Sequence, residues 1–155
     1  MYFRYSKSSS CFQKVDKYVG RKVDVPKFQE MLQLFFTIGG ELQRNVISSL
    51  LQQVRLMQRI VLDLEGFRFY SSSLLIVFEG DLAEISEDEY EDDQVEDHGP
   101  SFYQKPPVVK IIDFANCTYP GFTKEDIIHE GPDSGFLFGL ENLIEILNII
   151  RQSEE

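Results

Sequence analysis

The chain has 155 residues, 43% hydrophobic and 13% aromatic, enough apolar material for one packed domain and too much for a wholly disordered polypeptide. Its 26 acidic and 15 basic residues give a formal net charge of −11, which excludes non-specific attraction to nucleic acid or to an anionic membrane surface by overall charge. The charge is concentrated: ten acids and no base fall within residues 81–97, and taking ten negative charges from −11 leaves −1 for the rest.

From the N-terminus, residues 1–10, with three serines at 8–10, read as a loop or frayed start, and a short extended piece follows over residues 12–19. A helix comes next. Asp24 suits its N-cap and Pro26 its first turn, and Phe28, Met31, Leu32, Phe35 and Phe36 recur at spacings of three and four until Gly39 and Gly40 stop it. A second helix is predicted over residues 42–64, where Val46, Ile47, Leu50, Leu51, Val54, Met57, Ile60, Val61 and Leu64 share a face and Gly66 ends the run. Two amphipathic helices joined at a Gly-Gly pair predict a helical hairpin packed on another layer. Residues 67–79 read FRFYSSSLLIVFE, which predicts a largely buried strand. Residues 80–105 are acidic and lack any helical or strand period, so 81–105 is predicted to be a solvated, disordered loop. PVVKIIDF at 107–114 predicts a second short buried strand, and a turn-rich loop leads to a helix over 137–150 whose apolar face is Leu140, Leu143, Ile144, Leu147 and Ile150. The fold class is α+β, and the two strands are expected to pair antiparallel because no crossover helix separates them.

Three features carry chemistry. Asp113 ends the second strand, where a lone carboxylate can hold a divalent cation or can equally cap a turn or ion-pair a strand end. Ser71, Ser72 and Ser73 enter the first strand, and antiparallel pairing would set them beside Asp113. They then form part of a magnesium–phosphate site, or else they bond their hydroxyls to local backbone. Lys14, Lys17, Arg21 and Lys22 surround Tyr18 as a local basic cluster, suited to phosphate groups or simply solvated. His98 and His129 have no partner at metal-ligand or triad spacing, and Cys11 and Cys117 are too few for a disulfide framework or a four-cysteine zinc site. No signal-peptide pattern opens the chain, and its longest apolar run, 74–78, is far too short to span a bilayer. A reduced, cytoplasmic or nuclear protein without membrane insertion or a nucleic-acid partner is expected.

DKYVGR at 16–21, RFYSSSLLIVFEG at 68–80, VKIIDFAN at 109–116 and GPDSGFLFGLENLIEIL at 131–147 together resemble the C-terminal half of the inositol polyphosphate kinases, in particular the inositol hexakisphosphate kinase branch. The resemblance runs over residues 12–151 except the acidic loop. It implies the C-terminal lobe of a protein-kinase- and ATP-grasp-like (SAICAR synthase-like) fold: a helical hairpin, a short antiparallel strand pair and a C-terminal helix. It also implies ATP and Mg2+ as cofactors, with Asp113 on the magnesium and Ser73 lining the same site. Lys17 and Arg21 would lie near the inositol phosphate pocket, and no residue is assigned a catalytic role outright. Two departures stand out. The family hallmark Pro-x-x-x-Asp-x-Lys-x-Gly does not occur in these residues, so 1–155 is expected to be a single C-lobe without its N-lobe. Asn116 stands where the branch usually has His, and an amide neither titrates nor shuttles a proton.

The resemblance implies ATP-dependent phosphoryl transfer to inositol hexakisphosphate or a less phosphorylated inositol phosphate. The alternative is a degenerate, non-catalytic kinase that binds an inositol phosphate, or a protein partner through its acidic loop. Because the acids repel one another and few apolar residues offset the ordering entropy, replacing residues 81–105 by a short Gly-Ser turn should leave the thermal unfolding midpoint unchanged or slightly raised. Loss of cooperative unfolding in that variant would assign the segment to the core.

Overall fold

A computed structural model describes residues 2–6, 11–80, 106–122 and 128–153. The predicted acidic loop, His98 and the serines at 8–10 lie outside these residues. Strands β1 (Tyr2–Ser6) and β2 (Cys11–Val15) precede a single helical turn, α1 (Lys17–Gly20), and helix α2 (Val25–Phe36). A two-residue pair, β3 (Thr37–Ile38) and β4 (Glu41–Leu42), leads into α3 (Arg44–Leu62). Strands β5 (Ser73–Val77) and β6 (Val108–Ile112) and helix α4 (Ser134–Gln152) complete the described elements. The strands form three separate two-stranded antiparallel sheets, β1–β2, β3–β4 and β5–β6.

The N-terminal segment differs from the frayed start predicted for it. Tyr5 pairs with Phe12 across the β1–β2 ladder, and their rings meet edge to face at 5.1 Å. On the neighbouring rung, Arg4 reaches α2 and donates to the carbonyls of Leu34 (2.5 Å) and Thr37 (2.9 Å). The Leu34 carbonyl also accepts from the Thr37 amide at the C-cap, so the guanidinium adds a second donor at the end of α2 and docks the hairpin there. The extended piece also stops earlier than predicted. Asp16 accepts from the amides of Tyr18 (2.9 Å) and Val19 (3.0 Å) and turns residues 17–20 into α1.

Asp24 caps α2 as expected, accepting from the Lys27 amide at 2.9 Å with Pro26 in the first turn. Phe36 is fully buried and Phe35 half-buried, whereas Phe28, on the same predicted face, is exposed. Gly39 (φ +61°) and Gly40 (φ +91°) do more than end a helix. Both occupy the left-handed region that a two-residue hairpin turn demands, and they connect β3 to β4.

Helix α3 buries Val46, Ile47, Leu50, Leu51, Val54 and Val61, a stripe at helical spacing. Its main partner is α4 rather than α2, so the helical hairpin predicted from the Gly-Gly junction is not the principal helix pair. The two run antiparallel: Arg44, at the start of α3, donates to the carbonyls of Arg151 (3.3 Å) and Ser153 (2.8 Å) at the end of α4. On α4 the buried residues are Leu140, Leu143, Ile146, Leu147 and Ile150; Ile144 is half-buried. The helix starts three residues before the predicted position because Asp133, inside a Gly-Pro-Asp-Ser-Gly stretch that reads as loop, is its N-cap.

The β5–β6 sheet lies against this pair with one face only. Leu74 and Ile76 of β5 and Val109 and Ile111 of β6 turn inward, while Leu75, Val77, Val108 and Ile112 remain 39–52% exposed. The expectation of largely buried strands is therefore corrected to strands covered on a single face. Gln53 of α3 fixes the edge of β6, donating to the Pro107 carbonyl (2.5 Å) and accepting from the Val109 amide (3.3 Å). No described helix is long and apolar enough to cross a membrane.

Leu147 is 0% exposed at the centre of the α3–α4 contact. Leu147→Ala should cost about 2–5 kcal/mol, read as a lower urea midpoint with an unchanged m-value. A loss under about 1 kcal/mol would mean that the two helices do not share one rigid core.

Candidate active site

The chemistry gathers at one end of the β5–β6 pair. The register sets Leu75 opposite Lys110, Leu74 opposite Ile111 and Ser73 opposite Ile112, so Asp113 follows directly beyond the last rung. Opposed Cα atoms lie about 4.5–5.5 Å apart and successive ones about 3.8 Å, which puts the Cα atoms of Ser73 and Asp113 within about 10 Å. The predicted meeting of the serine run with the carboxylate is what the structure shows.

Backbone conformation singles out the same place. Ser71 (φ +58°) and Asp113 (φ +65°) are the non-glycine described residues in the left-handed region, and both flank the last rung at this end of the ladder. Aspartate tolerates that region better than most side chains; serine gains less from it. Strain of this kind costs about 1–3 kcal/mol per residue and persists where the surroundings over-determine it.

The surroundings here are specific. Ser72 bonds back to the Phe69 carbonyl through its amide (3.3 Å) and hydroxyl (3.0 Å), closing a tight turn around Ser71. For Ser72 the local-backbone role holds; Ser73 is exposed and makes no side-chain hydrogen bond among the described residues. Behind the turn, Arg68 and Thr118 exchange two backbone hydrogen bonds (2.9 and 3.0 Å), pairing the chain again on the far side of both loops. The Arg68 guanidinium donates to the carbonyls of Phe67 (2.6 Å), Glu130 (2.8 Å) and Gly131 (3.0 Å). Asp133, buried, accepts from the Phe69 amide through Oδ2 (2.8 Å) and from the Phe136 amide through Oδ1 (2.9 Å).

Asp113 is exposed, with no hydrogen bond or ion pair among the described residues. Near it, burial holds the Cys117 thiol above its ordinary pKa, and the negative charges of Asp113 and Asp133 push it the same way. A thiol kept protonated is a poor nucleophile. Asn116 lies in the exposed turn between Phe114 and Cys117, whose amide donates to the Phe114 carbonyl at 3.0 Å. His129 is paired with Tyr70, Nε2 to phenol oxygen at 3.5 Å.

The basic cluster is carried by β2, α1 and the turn after it. Lys17 places its ammonium 5.3 Å from the centre of the Tyr18 ring, and the Arg21 amide donates to the Lys17 carbonyl at 3.1 Å. Lys14, Lys17, Arg21 and Lys22 are exposed and form no ion pair among the described residues. Lys17 and Arg21 are thus one helical turn apart, and Ser73 and Asp113 are neighbours, but no described hydrogen bond or ion pair joins the two groups. Sequence reading missed Arg68 and Asp133, whose side chains bond to the backbone around the loops. Only the capping signature of Asp133, three residues ahead of an apolar period, was available to reveal it.

For a divalent cation the donor set is sparse. No group of three or more His, Cys, Asp or Glu among the described residues could hold a metal. An exposed carboxylate beside a free hydroxyl still fits magnesium shared with a phosphate ligand, since that ion keeps several waters and takes one or two carboxylates plus phosphate oxygens.

Comparison with known proteins gives the class. The family model for inositol polyphosphate kinase matches residues 2–148, and the chain belongs to that family. It is 37% identical over 155 residues to inositol hexakisphosphate kinase 3 of Homo sapiens, covering 97% of this chain and 38% of the relative. To inositol hexakisphosphate kinase 2 of Oryctolagus cuniculus it is 32% identical over 167 residues, covering 96% and 38%. It therefore spans well under half the length of these relatives. Among solved structures, inositol phosphate multikinase Ipk2 of S. cerevisiae, in complex with ADP and Mn2+, shares the fold with a TM-score of 0.63 at 22% identity, over 96% of this chain and 55% of that one.

In a Cys11→Ser background, the pH midpoint for Cys117 alkylation should lie above the usual thiol value of about 8.5. Asp113→Asn removes one of the negative charges that oppose the thiolate, so it should lower that midpoint, though only in part because burial is the larger cause. An unchanged midpoint in Asp113→Asn would show that the carboxylate does not face the thiol.

Proposed function

We propose that these residues form the part of an inositol phosphate kinase that holds metal and nucleotide, with inositol hexakisphosphate or a less phosphorylated inositol as the acceptor. The observation that carries this is the β5–β6 register, which sets Ser73 beside an exposed Asp113 held in a left-handed conformation. Asp113 holds Mg2+ on the nucleotide phosphates and Ser73 lines the same site. The uncovered apolar face with Leu75 and Ile112, next to the carboxylate, suits a flat base. Bound magnesium would neutralise charge developing on the transferring phosphoryl group. Lys17 and Arg21, uncompensated by any described carboxylate, supply positive charge for a polyanionic acceptor.

A second reading, binding without turnover, has one observation in its favour. The 155 residues contain no Pro-x-x-x-Asp-x-Lys-x-Gly, the motif the resemblance associates with a nucleotide-site aspartate and a substrate-side lysine. Phosphoryl transfer is mostly positioning and charge neutralisation, so these residues alone have the anchor for a nucleotide and lack the opposing clamp.

The chain as it stands is expected to bind Mg2+–nucleotide weakly and to turn over far below the roughly one per second of ordinary kinases. The check is a radiolabelled ATP assay with inositol hexakisphosphate and less phosphorylated inositols, beside nucleotide binding, with Asp113→Asn as the blank. Turnover near the normal rate that vanishes in Asp113→Asn would rule out the second reading. Nucleotide binding that Asp113→Asn leaves unchanged would rule out the metal role of Asp113.

A further inference from the structure

We infer that Asp133 is a positioning residue for Asp113: its buried carboxylate fixes the loop pair that holds Asp113 and Ser73 in place. The inference rests on the reading of Asp113 as the metal–nucleotide carboxylate. Residues 68–73 and 112–118 form a ring, closed by the Ser73–Ile112 pairing at one side and the Arg68–Thr118 bridge at the other. Both strained residues, Ser71 and Asp113, are in this ring. The ring touches the helical body through backbone amides and carbonyls rather than through packed side chains alone. Arg68 grips the carbonyls of Glu130 and Gly131, and Asp133 accepts the Phe69 amide.

Of these contacts the Asp133 bond acts closest to the strained turn. Phe69 offers its amide to Asp133 and its carbonyl to Ser72, so Asp133 anchors the residue on whose carbonyl the turn at Ser71 closes. Two residues after Ser71, Ser73 enters the ladder opposite Ile112, whose neighbour is Asp113. The other carboxylate oxygen of Asp133 is taken by the Phe136 amide in the first turn of α4, so the carboxylate is anchored to the rigid element it caps. A helix cap needs one oxygen; the second is spent on the site loop. An acceptor with two oxygens aimed at two amides is something only a carboxylate provides here. Asparagine keeps the size but turns an NH2 group towards one of the two donors.

If Asp133 only caps α4, its loss lowers stability and leaves ligand binding by the folded fraction alone. If it positions Asp113, binding falls while the protein is still folded. The experiment titrates the full chain with a fluorescent ADP analogue in Mn2+, at a temperature where circular dichroism shows every variant folded. It compares Asp133→Asn, Asp113→Asn, the double variant, and Asp24→Ala, which removes a helix cap on α2. Asp133→Asn is expected to weaken binding about tenfold or more, the usual size for residues that orient a metal ligand. Asp24→Ala is expected to leave it unchanged. The double variant is expected to bind no more weakly than Asp113→Asn, because the two act through one group. Amide NMR signals of residues 71–73 and 113–118 should shift in Asp133→Asn and not in Asp24→Ala. Normal affinity in Asp133→Asn, additive losses in the double variant, or unmoved amide signals would each overturn the inference. A parent chain that binds no nucleotide, with the amide signals still shifted in Asp133→Asn, would support the positioning of the loop and overturn the metal–nucleotide reading instead.

Discussion

Every described layer depends on the apolar stripe of α3. Six of its side chains are buried, and full burial of such a residue stabilises by about 1.5–3 kcal/mol relative to exposure. Helix α4 covers one flank of the stripe, the inner face of β5–β6 another, and Phe36 with the half-buried Phe35 and Phe78 closes the end, their rings 5.1–5.4 Å apart. The strand pair could not stand alone, since an isolated hairpin is marginal in water. Its position is set from α3 by Gln53 at the β6 edge and from α4 through Asp133 at the loop before β5. The site thus borrows its rigidity from the two long helices, while its own strands leave a face uncovered.

That uncovered face marks where stability gives way to function. Leu75, Val77, Val108 and Ile112 stay exposed along one face of the pair, with Ile112 next to Asp113, and Phe114 is 55% exposed just past it. Apolar area left open next to a strained carboxylate is costly twice over, in hydration and in backbone energy. Such a combination is common at ligand sites, and the described residues supply no partner for Asp113. The same logic applies to Lys17 and Arg21, exposed cations without described ion pairs in a chain of net charge −11.

Periodicity made the helices legible, because α3 and α4 repeat apolar residues every three or four positions; the faces differ from the predicted ones in that Ile60 of α3 is exposed and Ile146 of α4 is buried. The strand pairing was legible for a topological reason: the sequence between the two strands carries no helical period, so an antiparallel pair was expected, and that pairing sets Ser73 and Asp113 at one end. What stayed hidden was decided by partners far along the chain. β1 exists because Arg4 finds carbonyls about thirty residues away, as its bonds to Leu34 and Thr37 show. One-sided exposure of β5 was hidden because an unbroken Leu-Leu-Ile-Val run looks the same whether one face or two are covered. Asp133 was hidden inside Gly-Pro-Asp-Ser-Gly, where composition says turn and only the apolar period beyond it says cap.

Asp113 and Asp133 carry the same side chain to opposite ends. Asp133 is 9% exposed and spends both oxygens on backbone amides, so its charge is consumed in holding structure and has little left for a ligand. Asp113 is exposed, without a described hydrogen bond, in a conformation the loop must hold against its preference. A carboxylate that is to share a cation with phosphates must be in this second condition, because each amide it accepted would compete for the lone pairs the metal needs. The buried, satisfied aspartate is what allows the exposed one to stay unsatisfied: it fixes the neighbouring loop from behind and leaves the front of the site to solvent and ligand. Pattern alone gives the two residues equal standing. Burial and hydrogen bonding separate them, and they do so in the direction that metal–phosphate chemistry requires.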